Sequence, residues 1–269
     1  MKLIILAAGE GKRLRPYTNE IPKCMVKLAG FSLLSHQLST IKKCKINKND
    51  IALVGGYKSE ALEEFHLKNF HNLNYLSTNM VATLFCAREF IKREEDLIIS
   101  YGDIIYEEKV LRAILDCDDE ICVAADLLWE KLWSLRMTNP LDDAETFVMD
   151  SNSYIKEIGK VPNTLSQVQA QYMGLIKVRG DMVSKFVNIY DQLDRFGNFD
   201  GQNFDNMYMT SLIQYFIDLG WNVKACLVEN GWLEIDTASD LEQYEQMALD
   251  SSLESICKLS VSYTHLRAH

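Results

Sequence analysis

After Met1 and Lys2 the chain runs through six apolar residues, 3–8, which stop at Gly9-Glu10-Gly11. An unbroken apolar run of strand length ended by glycine reads as a parallel strand buried on both faces. The pattern returns at residues 51–54 before Gly55-Gly56, at 97–100 before Tyr101-Gly102-Asp103, and at 121–125. Between these runs the spacing becomes helical. Leu33, Leu34, Leu38 and Ile41 mark a helix over 32–43, and further helices are predicted over 59–70, 80–91 and 109–115, with a short strand at 73–76. Strands alternating with helices predict an α/β fold, a doubly wound, mostly parallel and Rossmann-like sheet.

The second half is more mixed. Residues 146–149 and 154–158 read as a β-pair around Asp150-Ser151-Asn152-Ser153, followed by strands at 175–178 and 223–228. Amphipathic helices are predicted over 181–194, 207–219 and 238–249. This organisation predicts one domain over 1–250, with a small β-containing insertion at about 129–165 and a tail over 251–269. The last ten residues, 260–269, are polar and basic without apolar period, and resemble a translated sequencing adapter. They are expected to be non-native or disordered, and His265 and His269 are set aside with them.

Charge narrows the function classes. A net charge of −10 argues against a general nucleic-acid binder or a binder of anionic membranes. An acidic chain that handles phosphate must gather its cations locally. The initial apolar run is too short for a signal-peptide core, and no segment is long enough to span a bilayer, so a cytoplasmic protein is expected. The seven cysteines are odd in number and lack C-x-x-C spacing. Zinc and redox motifs are therefore absent, and idle thiols in a reducing compartment are expected.

The most informative segment is Leu6-Ala7-Ala8-Gly9-Glu10-Gly11-Lys12-Arg13. Glycines after a strand let backbone N–H groups approach and cradle phosphates. G-x-G alone fits an ordinary strand–helix turn equally well. A dinucleotide fingerprint fails because Leu14 stands where a small residue is required, with Pro16 just beyond. A P-loop fails because Arg13, not Ser or Thr, follows Gly11-Lys12. The longer string of Gly9, Gly11, Arg13, Pro16, Thr18, Pro22 and Lys23 resembles the signature G-x-G-x-R-x-x-P-x-T-x-x-x-P-K of the sugar-phosphate nucleotidyltransferase superfamily. Lys12 replaces the small residue often found before the arginine.

That resemblance implies roles. Leu6, Ala7, Ala8, Gly9, Glu10 and Gly11 would bind the nucleotide, Arg13 would neutralise the leaving pyrophosphate, and Lys23 would contact the α-phosphate. Such catalysis works by positioning and charge. Transfer from a nucleoside triphosphate also calls for Mg²⁺ on carboxylates. Asp103, after a strand, and Asp236, in Glu234-Ile235-Asp236, match the family's metal-binding positions, with Glu234 a weaker candidate. A turn residue and a helix N-cap are the corresponding structural readings of the two aspartates.

Thr78-Asn79-Met80, Tyr101-Gly102-Asp103, Asn139-Pro140-Leu141-Asp142-Asp143, Gln171-Tyr172-Met173-Gly174 and Asn206-Met207-Tyr208 look like the cytidylyltransferase branch acting on phosphocholine, aminoalkylphosphonate or phosphoglutamine. The branch implies CTP and a small phosphorylated acceptor as partners, in the making of surface-polysaccharide precursors. It puts Asn79 and Gly102 near the nucleoside and Lys160 at the acceptor phosphate. Lys160 is equally readable as a solvated strand-end lysine. Glu145, Tyr172, Trp129 and Trp232 are candidates for an amine pocket through charge and cation–π attraction. Trp129 and Trp133, four residues apart, could instead be core on one helical face. Two rival functions remain open at this point: a sugar-1-phosphate nucleotidyltransferase using another triphosphate, and a non-catalytic nucleotide-binding module. All four of Arg13, Lys23, Asp103 and Asp236 are present, which disfavours the module.

Overall fold

The computed structural model describes residues 1–261. The apolar opening run forms β1 (Lys2–Ala7), and a small ribbon of β2 (Lys27–Leu28) and β3 (Phe31–Ser32) leads into α1 (Leu33–Lys43). The chain continues through β4 (Ile51–Gly55), β5 (Lys68–His71), α2 (Met80–Cys86), β6 (Leu97–Tyr101), β7 (Ile104–Tyr106), α3 (Glu108–Asp116) and β8 (Ile121–Asp126). Then come α4 (Trp129–Arg136), the hairpin β9 (Phe147–Met149) and β10 (Ile155–Ile158), and β11 (Gln171–Val178). Helices α5 (Gly180–Gln192) and α6 (Met209–Asp218), strands β12 (Val223–Val228) and β13 (Trp232–Glu234), and α7 (Ala238–Leu249) complete the sequence of elements.

Seven strands form the central sheet in the order β12-β8-β11-β6-β1-β4-β5. All neighbours are parallel except β11, which runs antiparallel to both β6 and β8. The expected doubly wound, mostly parallel sheet is therefore present. Alternation along β1 sends Leu3, Ile5 and Ala7 to one face and Ile4 and Leu6 to the other. The first face packs on Leu34 and Ile41 of α1, Val110 and Ile114 of α3, and Leu241 and Tyr244 of α7. The second packs on Val81 and Leu84 of α2, Phe186 of α5, and Leu212 and Phe216 of α6.

Some expected elements differ. Residues 59–70 do not form one α-helix. A 3-10 turn over Ser59–Phe65 ends at His66 with φ of 50°, and β5 follows. Leu62, Phe65, Leu67 and Phe70 imitate helical spacing, but β5 is an edge strand that buries only Phe70. The strand expected at 73–76 is a turn. The helix expected over 80–91 stops at Cys86 and gives way to a 3-10 turn over Arg88–Phe90. The tail also begins later than expected. Leu253, Ile256 and Cys257 are buried in the core, and the Gly231 N–H donates to the Ile256 carbonyl at 2.6 Å. Residues 262–269, most of the segment expected to be non-native, lie outside the described residues.

Candidate active site

The loop after β1 is folded onto its own downstream segment. Thr18 Oγ1 donates to the Gly11 carbonyl at 2.8 Å, and the Lys23 N–H donates to the Gly9 carbonyl at 3.4 Å. Gly11 has φ of 63°, and a Cβ there would stand 3.0 Å from Thr18 Cγ2 and 3.1 Å from Lys23 Cβ. The glycine thus lets the Lys23 stem pass beneath the loop. The N–H groups of Gly9, Glu10 and Gly11 have no acceptor among the described residues, so they are available to an anion.

Asp103 arrives beside this loop because β6 pairs with β1. The Gly102 N–H donates to the Leu6 carbonyl at 2.9 Å, and a Cβ on Gly102 would sit 2.6 Å from that oxygen. Asp236 comes from far along the chain. Strand β13 pairs antiparallel with β7, and the Ile235 N–H donates to the Asp103 carbonyl at 3.3 Å. The two aspartates therefore face one another across Lys23, whose Nζ donates to Asp103 Oδ2 at 2.6 Å and also to Asp236 Oδ1. Arg13 reaches Asp236 Oδ2 at 3.1 Å.

Asp236 does not cap α7. Thr237 is the N-cap, and Asp240 closes the capping box while accepting from the Asp236 and Thr237 N–H groups at 3.0 and 2.9 Å. The Asp236 carboxylate is left to the site. Arg136, at the end of α4, is buried with Glu234 at 2.7 Å, Asp236 at 3.5 Å and Asp240 at 3.4 Å. Burial alone would raise the Asp236 carboxyl, but Lys23, Arg13 and Arg136 hold it below its ordinary value. Burial likewise opposes the Lys23 charge, yet Asp103 and Asp236 raise its pKa. Glu234 goes the other way, pushed up to about 7 by burial and by the Asp236 charge.

The oxygen donors fit a hard divalent cation. Asp103 Oδ1 is buried without a partner among the described residues, while its second oxygen and Asp236 already share one cation, the Lys23 ammonium. Asp143, Glu234 and Asp236 also present oxygens within 4.8 Å of one another.

Three cavities share lining residues around these charges. One of about 150 Å³ is lined by Leu6, Ala7, Ala8, Asn79, Gly102 and Asp103. A second, about 490 Å³, lies along Gly9–Arg13 and reaches Lys23 and Asp236. A third, about 410 Å³, is walled by Tyr101, Trp133, Glu145, Gln171, Tyr172 and Tyr208, with Arg13 and Asp236 at its border. Glu145 is pushed up to about 7, chiefly by burial, with the Thr210 hydroxyl opposing the shift. Gln171 Oε1 is buried without a partner among the described residues.

The structure thus brings together the loop, Arg13, Lys23, Asn79, Gly102, Asp103 and Asp236, and places Glu145 and Tyr172 in the adjoining cavity. It does not bring Trp129 or Trp232 there. Trp129 is 2% exposed and its indole donates to the Val168 carbonyl. Trp232 is 1% exposed and its indole donates to Asp126 Oδ2 at 2.9 Å. Both are core residues, and Trp133, packed against each, is the one that reaches the cavity wall. Lys160 does not line the cavity either. Its ammonium pairs with Glu157 at 3.2 Å, and its backbone pairs with Thr146. Sequence reasoning assigned no role to Arg136, Asp143, Gln171, Tyr208 or Asp240. Asp143, Gln171 and Tyr208 stand within motifs already singled out, so their neighbours pointed to them. Arg136 and Asp240 carry no such local signal.

Comparison with known proteins agrees with this geometry. Residues 3–133 match the MobA-like NTP transferase domain family. The chain is 42% identical over 251 residues to the CTP:phosphoglutamine cytidylyltransferase of Campylobacter jejuni, covering 90% of this chain and 98% of that protein. Among solved structures, the inositol-1-phosphate CTP transferase from T. maritima superposes with a TM-score of 0.71 at 19% identity, covering 96% of this chain and 98% of that one. The CTP:phosphocholine cytidylyltransferase from Streptococcus pneumoniae superposes with a TM-score of 0.66 at 20% identity, covering 91% and 98%. These two likenesses establish the fold.

Proposed function

The chain belongs to the nucleotidyltransferase family that includes the Campylobacter jejuni enzyme, and from that membership we propose that it transfers the CMP portion of CTP to a small amine-bearing phosphorylated acceptor, phosphoglutamine first among them, and releases pyrophosphate. The observation that carries this reading is the meeting of Arg13, Lys23, Asp103 and Asp236 in the walls shared by the three cavities.

An acceptor phosphate oxygen attacks the α-phosphorus of CTP. One P–O bond forms as the bond to the β-phosphate oxygen breaks, and pyrophosphate leaves. The acceptor oxygen is already an anion, so no general base is needed. The free N–H groups of Gly9–Gly11 and the Arg13 guanidinium receive the β- and γ-phosphates. The Lys23 ammonium moves from its carboxylates to the α-phosphate, where charge builds. Asp103 and Asp236 would hold Mg²⁺, which supplies neutralisation of the phosphate charge. Asn79 and Gly102 border the nucleoside cavity. Glu145 offers a carboxylate to the acceptor ammonium, and Gln171 Oε1 offers a second acceptor for its N–H groups. The product suits synthesis of a surface polysaccharide, and CTP as donor suits the cytoplasm. No helix among the described residues is long and apolar enough to cross a membrane.

The test is a pyrophosphate-release assay with Mg²⁺. CTP, UTP, dTTP, ATP and GTP are each crossed with phosphoglutamine, phosphocholine, phosphoethanolamine, 2-aminoethylphosphonate and glucose-1-phosphate. Release with CTP and an amine-bearing acceptor is expected. Release only with glucose-1-phosphate would overturn the acceptor reading, and silence across the grid would overturn the proposal.

A further inference from the structure

The cysteines are not scattered as their spacing suggests. Cys122 lies on β8 and Cys226 on β12, the edge strand of the sheet. The register pairs Cys122 with Lys224, so Cys226 sits two residues further along the neighbouring strand and on the same face. Cys117 enters from the C-terminal end of α3. The three sulfurs lie within 4.8 Å of one another. Cys122 and Cys226 are buried and Cys117 is half-buried.

Two chemistries use clustered thiols, and the backbone distinguishes them for the strand pair. A diagonal pair on neighbouring strands has Cα atoms about 8 Å apart, because strands lie about 4.8 Å apart and two residues span about 6.6 Å. A disulfide tolerates about 7 Å at most. A metal ion asks less of the backbone. With metal–sulfur bonds of about 2.3 Å, sulfurs in a tetrahedral set remain about 3.8 Å apart. All three thiols can be used at once, whereas a disulfide leaves one unused.

We propose that Cys117, Cys122 and Cys226 form a trithiolate site for a soft, thiophilic d¹⁰ cation of the Zn²⁺ type. The surroundings suit such an ion. Asp119 Oδ2 lies 3.9 Å from Cys117 Sγ and offers a fourth donor, while Asp119 Oδ1 is held by the Tyr154 hydroxyl at 3.0 Å. The buried Lys177 ammonium donates to the Cys117 carbonyl at 2.7 Å and to the Leu115 carbonyl at 3.1 Å. The same ammonium pairs with Asp96 Oδ2 at 3.3 Å, and together these contacts fix the backbone that carries Cys117. The cluster stands at the start of β8, whereas the catalytic residues follow the far ends of β1 and β6. A bound ion would tie the end of α3 and the edge strand β12 to β8.

The experiment uses the full chain, reduced and stripped of transition metals, with excess Mg²⁺ present to occupy the carboxylates. Cd²⁺ is titrated while the thiolate-to-metal charge-transfer absorption is followed, and Zn²⁺ is measured by competition with a chromophoric chelator. One equivalent of Cd²⁺ should complete the band, and prior Zn²⁺ should suppress it. Cys117→Ala and Cys226→Ala should each weaken binding at least about tenfold. Cys86→Ala, at an exposed thiol outside the cluster, should leave it unchanged. X-ray absorption of the Cd²⁺ complex of the unaltered protein should count three sulfurs, a result that depends on no variant. Absence of the band, its persistence in Cys117→Ala, or a shell of oxygen and nitrogen alone would overturn the proposal.

Discussion

Replacing Glu145 by glutamine separates what the acceptor cavity gains from a carboxyl from what the fold loses to it. The carboxyl rises from 4.5 to about 7, mainly because burial removes its water. A shift of about 2.5 units at about 1.36 kcal/mol each makes the ionised form about 3 kcal/mol costlier in the folded chain. The unfolded state releases its proton near pH 4.5 and the folded state near pH 7, so between these values the native state binds more protons. Stability of the unaltered protein therefore falls as pH rises through this window, and the penalty is complete above it. Glutamine keeps an oxygen for Thr210 and carries no charge. Urea unfolding at pH 8 should show Glu145→Gln more stable by up to about 3 kcal/mol, and at pH 5 by less than about 1 kcal/mol. With phosphoglutamine, the KM of the variant should rise, and the wild-type KM should rise as pH falls below 7. An equal stability gain at both pH values, or a variant weaker than wild type at pH 8, would refute the reasoning.

Lys23→Ala should lower kcat by about 10²–10³, the usual cost of losing one charge-stabilising donor, with an unchanged circular dichroism spectrum. Near-normal turnover would remove Lys23 from the chemistry. Asp103→Asn should lower maximal activity and raise the Mg²⁺ concentration giving half of it; an unchanged metal response would leave Asp103 a structural residue. Arg136→Met leaves Glu234 and Asp240 without their buried cation, while Asp236 keeps Lys23 and Arg13, and denaturant unfolding should register a loss of about 3–5 kcal/mol. Trp232→Phe removes the indole donor to Asp126 and should cost about 1–3 kcal/mol while leaving the acceptor KM unchanged; a raised KM would return Trp232 to the pocket.

The parts legible in the sequence were those whose signal is local. The apolar runs of β1, β4, β6 and β8 each announce a strand because both faces are buried. The glycine-containing loop and Lys23 stand within one short segment and carry a recognisable spacing. Residues 59–70 read as a helix because an edge strand with one buried side chain has almost no alternation to detect. Trp129 and Trp232 drew attention as aromatics, yet burial and indole hydrogen bonds fix them in the core, and neither property is written in residue type. Arg136 meets Asp240 only through tertiary packing. Cys226 joins Cys117 and Cys122 across a long stretch of chain, through the pairing of β12 with β8, so spacing rules could not find it.

The order of the site along the chain has a consequence for how such proteins diversify. The cavity proposed for the nucleoside draws on residues between Leu6 and Asp103, and the larger cavity beside it, proposed for the acceptor, takes most of its walls from residues between Trp133 and Asp236. The two proposed sides are therefore encoded largely as consecutive stretches of this chain. Exchange of the later stretch between related chains would bring in a new acceptor wall while the loop, Lys23 and Asp103 stay in place. Asp236 is the exception, because it travels with the acceptor side yet completes the charge cluster of the donor side. Any such exchange must carry a carboxylate at that position, and the pairing of β13 with β7 must survive to deliver it.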